Sequence, residues 1–172
     1  QNTSIGMQSM HANLIGAENV AVGYQALYTN TDSDHNTAVG YQSLYLYDNT
    51  TDNFNAMHTA LGYRSGYNTT GAANRDTFIG ANAGLSNTTG ESNTSLGYYA
   101  LYSNETGNQN VAIGAYTLES FTGSDTVAIG ERCFSALTNG GGNTGVGWEA
   151  GRLTTTGLSN TAIGSRALYS ND

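Results

Sequence analysis

Asn36-Thr37-Ala38-Val39-Gly40 decides the fold of this chain, because the same frame recurs along its whole length. Further copies occupy residues 2–6, 19–23, 58–62, 76–80, 93–97, 110–114, 126–130, 143–147 and 160–164. Every copy ends on glycine: Gly6, Gly23, Gly40, Gly62, Gly80, Gly97, Gly114, Gly130, Gly147 and Gly164. The glycines follow one another at 17, 17, 22, 18, 17, 17, 16, 17 and 17 residues. A period this short marks a stacked array, in which each repeat contacts only its neighbours. Residues 1–172 therefore read as a single repeat array. The chain opens inside the first copy and stops inside the last, so the expectation is a fragment of a longer fibrous protein.

Position zero is taken as the frame glycine. Position −3 is Thr or Val and position −1 is Ile, Val or Leu in every copy, with a mostly small residue between them. This period-two alternation of β-branched residues reads as a short strand, and the glycine as the turn that ends it. The Ile/Val/Leu column is expected to form a buried spine, with the Thr/Val column also turned inward. Position +3 is small, from Ser9 and Ala26 to Cys133 and Ala167, and +4 is often Leu, with Gly66, Gly84 and Gly151 as exceptions. A second short strand is expected there, followed by polar linkers such as Ser86-Asn87-Thr88-Thr89-Gly90. No segment carries a helical apolar stripe. The Asn column that opens the frame is expected to run as a side-chain ladder up the stack.

The expected fold class is all-β: a parallel β-solenoid, or β-roll, of about ten 17-residue rungs. Only two positions per rung are reliably large and aliphatic. A chain with so little apolar surface to bury points to assembly, a side-by-side or intertwined homotrimer.

The frame, with its small residue three positions on, resembles the head repeats of trimeric autotransporter adhesins. The longer run Gly-Tyr-Gln-Ala-Leu-Tyr-Thr-Asn at residues 23–30 is similar to repeats of phage tail fibres. The resemblance covers essentially the whole chain. It implies a left-handed roll, three chains about one axis, an extracellular place on a cell surface or virion, and attachment to a host surface or glycan without catalysis.

Composition narrows the partners further. Acids number 13 against 5 basic residues, all arginine, for a net charge of −8. Such a chain lacks the positive footprint that nucleic acid or anionic lipid requires. No apolar run approaches a membrane span, so no membrane insertion is expected. The single cysteine, Cys133, reads as a small spacer. His11, His35 and His58 lack metal-ligand spacing, and no nucleophile or phosphate-loop motif is present, so neither enzyme activity nor a cofactor is expected.

Two features exceed what stacking requires. Tyr24, Tyr41, Tyr63 and Tyr98 directly follow the frame glycine, with Trp148 in the same column, and make a candidate ligand-binding stripe. A second tyrosine column lies five after the glycine: Tyr28, Tyr45, Tyr67, Tyr102 and Tyr169. The long third rung adds a loop expected to protrude, with Tyr47, Asp48, Asp52 and Asn53 as candidates. Its carboxylates, like Asp32 and Asp34, suit calcium chemically, but the spacing matches no established calcium loop. Two alternatives to attachment remain: a structural filament of end-to-end rungs, and an ice-binding array made by the threonine column.

Overall fold

The computed structural model describes residues 1–47, 56–70 and 75–170. Among them the only regular elements are ten three-residue strands, one per frame. These are β1 (Thr3–Ile5), β2 (Val20–Val22), β3 (Thr37–Val39), β4 (Thr59–Leu61), β5 (Thr77–Ile79), β6 (Thr94–Leu96), β7 (Val111–Ile113), β8 (Val127–Ile129), β9 (Thr144–Val146) and β10 (Thr161–Ile163). They form one parallel sheet in sequence order, with every strand in the same register: Val20 pairs with Thr37, Thr37 with Thr59, Thr59 with Thr77. The chain is thus an all-β solenoid. Nine steps of about 4.8 Å make its sheet about 43 Å long.

Each strand from β2 to β9 is tied to both neighbours at its ends. The N–H of Thr37 donates to the carbonyl of His58 at 2.8 Å, and the N–H of Gly40 to that of Val22 at 2.8 Å. The frame glycines have φ between 119° and 142°. A Cβ on Gly23 would strike the Gly40 carbonyl of the next rung, so both the backbone angle and the close approach exclude a side chain there.

The region after the glycine is a turn, not the second strand expected from sequence. Positions +2 and +4 lie in the left-handed region in every rung, as at Gln25 (φ 53°) and Leu27 (φ 51°). Non-glycine residues seldom adopt this conformation, and two per rung bend the chain too sharply for an extended run. Rung-to-rung bonds persist through the bend, as from Leu27 N–H to the Ser43 carbonyl at 2.9 Å.

The strand face is the reverse of the expectation. The middle residue points into the roll: Ala21, Ala38, Ala60, Phe78, Ala112 and Ala128 are fully buried. The Ile/Val/Leu column points out, with Leu61 and Leu96 each 46% exposed. Alternation then carries the Thr/Val column outward as well, and those residues are half-buried from Val20 to Thr144. The interior is narrow. It is filled by the small strand centres, by Ala26, Ala83, Ala100 and Cys133 at +3, and by Leu27, Leu44, Leu101 and Leu118 at +4. Burial pushes the Cys133 thiol up to about 11, as suits an inert spacer.

The three glycines at +4 are complements to large neighbours. A Cβ on Gly66 or Gly84 would run into the ring of Phe78, and one on Gly151 into that of Phe134. The phenylalanine takes the space that leucine fills elsewhere. Phe78→Ala is expected to destabilise the roll by about 3–5 kcal/mol. Adding Gly84→Leu, which restores the usual residue of that column, should recover part of the loss in urea unfolding. A double variant no better than the single one would show that the phenylalanine is not the complement of the glycine.

Candidate ligand-binding face and the buried polar ladder

The polar column that opens the frame holds the rungs together from within. Asn19 Oδ1 accepts the Asn36 N–H at 2.8 Å, Asn36 Oδ1 the His58 N–H at 3.1 Å, and Asn93 Oδ1 the Asn110 N–H at 3.0 Å. The amides of Asn19 and Asn93 also donate across their own rungs, to the Ser33 and Gly107 carbonyls at 2.8 Å each, while that of Asn36 donates back to Asn19 Oδ1 at 3.1 Å. These residues are buried, so each oxygen satisfies a backbone donor that would otherwise lack a partner. A second interior column at +7 escaped the sequence reading. It includes Asn30, Asn87 and Asn104, with Asn104 donating to Asn87 at 2.8 Å, and Phe121 and Leu137. Its signal was asparagine recurring seven residues after several frame glycines.

Tyr47 occupies this interior column. It is fully buried, edge-on to His58 at 4.7 Å between ring centroids, and so does not protrude as expected. Asp48, Asp52 and Asn53 lie outside the described residues. Asp34 accepts the Ala17 N–H at 2.6 Å and Asp32 the Thr31 hydroxyl at 3.3 Å. Among the described residues no three His, Cys, Asp or Glu side chains gather as metal ligands.

His58 and Asp76 replace asparagine in adjacent rungs. The Asp76 N–H donates to His58 Nδ1 at 3.4 Å, which requires a neutral imidazole. Burial pushes His58 down to about 3. Burial likewise raises the Asp76 carboxyl well above the usual range, against the lowering effect of hydrogen bonds from Asn93 at 2.7 Å and Asn87 at 3.1 Å. Below pH 6.5 the unfolded chain protonates the histidine while the folded chain does not, so His58 costs stability as pH falls. Asp76 has the opposite sign: above its unfolded pKa the unfolded chain ionises it while the folded chain keeps the proton, so it costs stability as pH rises. Between these unfolded values the two slopes oppose each other. Asp76→Asn removes one of them. That variant is expected to lose about 2 kcal/mol of stability between pH 7 and pH 5, from a slope of about 1.4 kcal/mol per pH unit. The parent should show a smaller loss from this pair, and denaturant unfolding at the two pH values tests the difference.

The outer face beyond the turn carries three parallel columns. At +1, Tyr24, Tyr41 and Tyr63 stack with centroids 5.2 and 5.3 Å apart. At +5, His11, Tyr28, Tyr45 and Tyr67 stack at 5.1, 5.0 and 5.0 Å. Between them, at +2, Gln25 donates to Gln8 at 2.9 Å, Gln42 to Gln25 at 2.8 Å, and Arg64 Nε to Gln42 at 2.9 Å. The Arg64 guanidinium lies 5.4 Å from the Tyr63 ring and 5.2 Å from that of Tyr67, bridging the two stacks. Loss of water, then the neighbouring phenols, raise the Tyr45 hydroxyl above its ordinary pKa.

Stacking covers the ring faces inside each ladder and leaves ring edges and hydroxyls outward. The five residues of the sequence-derived stripe are therefore not one continuous surface. Tyr24, Tyr41 and Tyr63 form a stack. Tyr98 belongs to a separate cluster with Tyr99 and Tyr116, at 4.5 and 5.4 Å. Trp148 packs under the Arg166 guanidinium at 4.6 Å, and that guanidinium is paired with Glu149 at 3.0 Å. The breaks follow from the sequence: position +1 is Ala81 in the fifth rung, Ala115 in the seventh and Glu131 in the eighth.

No protein-family model, curated protein or solved structure matches this chain.

Proposed function

We propose that the chain is a segment of an extracellular, homotrimeric attachment fibre, in which three rolls pack through their outward strand faces and present their aromatic columns to a host surface or glycan. The observation that carries this reading is the apolar ridge on the outside of the roll. Leu61, Leu96, Ile129 and Val146 are each at least 36% exposed, and Val22, Val39, Ile79 and Ile113 stand half-buried in the same column. Contiguous exposed apolar patches of this kind mark interaction surfaces. The ridge is straight and in register, so an identical ridge on a second and third copy is its natural complement. A shaft of stacked rungs needs no catalytic group, and the acidic surface suits neither nucleic acid nor anionic lipid.

The outward threonine column favours one competing reading. Thr37, Thr59, Thr77 and Thr94 stand in register on the same face as the aliphatic ridge, an arrangement that could order water as ice. Val20, Val111 and Val127 interrupt the column, which suits packing better than ice. The two readings exclude each other, because a face buried between chains cannot touch ice.

Sedimentation equilibrium separates them. The expected mass is three times the 18.0 kDa chain. Ile113→Asp should leave the roll folded by circular dichroism and reduce it to a monomer, since the charge would be stranded between chains. Beads carrying the parent should adhere to host cells or glycan arrays more strongly than beads carrying Ile113→Asp. A parent that remains monomeric overturns the trimer, and thermal hysteresis in that monomer would favour the ice-binding reading.

A further inference from the structure

The point where both tyrosine ladders break is a site with its own chemistry. In the fifth rung, position +1 is Ala81, +2 is Asn82 and +5 is Leu85, where the two preceding rungs carry Tyr, Gln or Arg, and Tyr. Tyr63 is the last ring of its stack. One face rests on Tyr41 at 5.3 Å, the Arg64 guanidinium lies 5.4 Å from the ring centre, and the following rung offers only a methyl group. The next aromatic in the column is Tyr98, two rungs on, or about 10 Å at the usual strand spacing. Tyr63 and Tyr98 are each 47% exposed. The column thus skips one ring between Tyr63 and Tyr98.

The hydrogen-bonded chain of position +2 ends at the same place. Arg64 uses Nε on Gln42, and no carboxylate lies within ion-pair distance of its guanidinium among the described residues. Arg132, Arg152 and Arg166, by contrast, are each paired with a glutamate at 2.8, 2.7 and 3.0 Å. Asn82 follows Arg64 in the column, fixed by its N–H on the Tyr63 carbonyl at 2.8 Å, and brings a side-chain amide to the same rung. A planar cation without a carboxylate partner, beside a one-ring gap, calls for a ligand that is both ring-shaped and anionic.

We propose that this notch binds a carboxylated sugar, its pyranose ring lodged between Tyr63 and Tyr98 over Ala81 and its carboxylate on Arg64. A pyranose carries C–H groups on both faces, which suits aromatic walls, and hydroxyls at its rim, which suit the Asn82 amide. The net charge of −8 repels anions at long range, so recognition depends on the local guanidinium. The inference rests on the attachment reading for its setting and narrows the glycan to an acidic one.

Saturation-transfer NMR with methyl β-D-glucuronide, and with methyl β-D-glucoside as its uncharged counterpart, tests it. The parent should bind the glucuronide roughly tenfold or more tighter than the glucoside, the expected loss when a charged hydrogen-bonded pair is removed. Ala81→Tyr fills the notch with the residue that the column carries at Tyr24, Tyr41 and Tyr63, and should abolish binding. Arg64→Gln installs the residue of Gln8, Gln25 and Gln42, and should bring the glucuronide down to the glucoside level. Both changes restore a repeat the chain already folds with, so loss of binding cannot be put down to misfolding. Equal binding of the two sugars, binding that survives Ala81→Tyr, or no transfer to either sugar overturns the proposal. A trimeric, adhesive parent that ignores the glucuronide removes the notch and leaves the attachment reading. A monomer that binds it does the reverse.

Discussion

The structure depends on one contact repeated at every step: the frame glycine of each rung lies against the carbonyl of the next frame glycine, too close for any side chain between them. This fixes rung height and lateral position together. Once those are set, every other column is forced into register, and the three-residue strands, too short to be stable alone, gain their neighbours in a ten-stranded sheet. The buried asparagines act at the same scale. Each one links the backbone of its rung to the next, so polar groups that would penalise a thin core become part of what aligns it.

A roll this thin cannot enclose a large apolar core, and its packing shows how space is shared. Alanine fills the strand centres and leucine the +4 column; where a phenylalanine enters, as at Phe78 and Phe134, adjacent positions are reduced to glycine. The larger β-branched residues are left outside. Their outward placement gives the proposed trimer its interface, and it explains why a chain with alternating apolar strands still has an aliphatic edge in water.

Register also makes neighbours of side chains that are 17 or 22 residues apart in sequence. Tyrosines at one position become a stack, glutamines become a hydrogen-bonded line, and the fifth rung, with alanine where tyrosine stood, becomes a gap instead of a neutral substitution. In an array of this kind the departures from the repeat are where recognition chemistry can arise, because the repeat itself is occupied with stacking.

The amino-acid order by itself determined the repeat, the parallel stacking of one short strand per rung, the turn glycines and the role of the asparagine column. All of these follow from which residue types recur at a fixed period, and the period is visible without coordinates. The inside of the roll was not legible. Alternation in Thr37-Ala38-Val39 says that Thr37 and Val39 share a face and Ala38 has the other, but it does not say which face is enclosed. That is decided by the direction in which the chain bends after the glycine, and the bend is made by left-handed Gln25, Leu27 and their equivalents, whose conformation their residue types do not announce. The same bend replaced the expected second strand by a turn, drew Tyr47 into the interior, and set Arg64 between Tyr63 and Tyr67. Only the tertiary structure decided these, because each depends on how a curved rung closes and not on what its residues prefer alone.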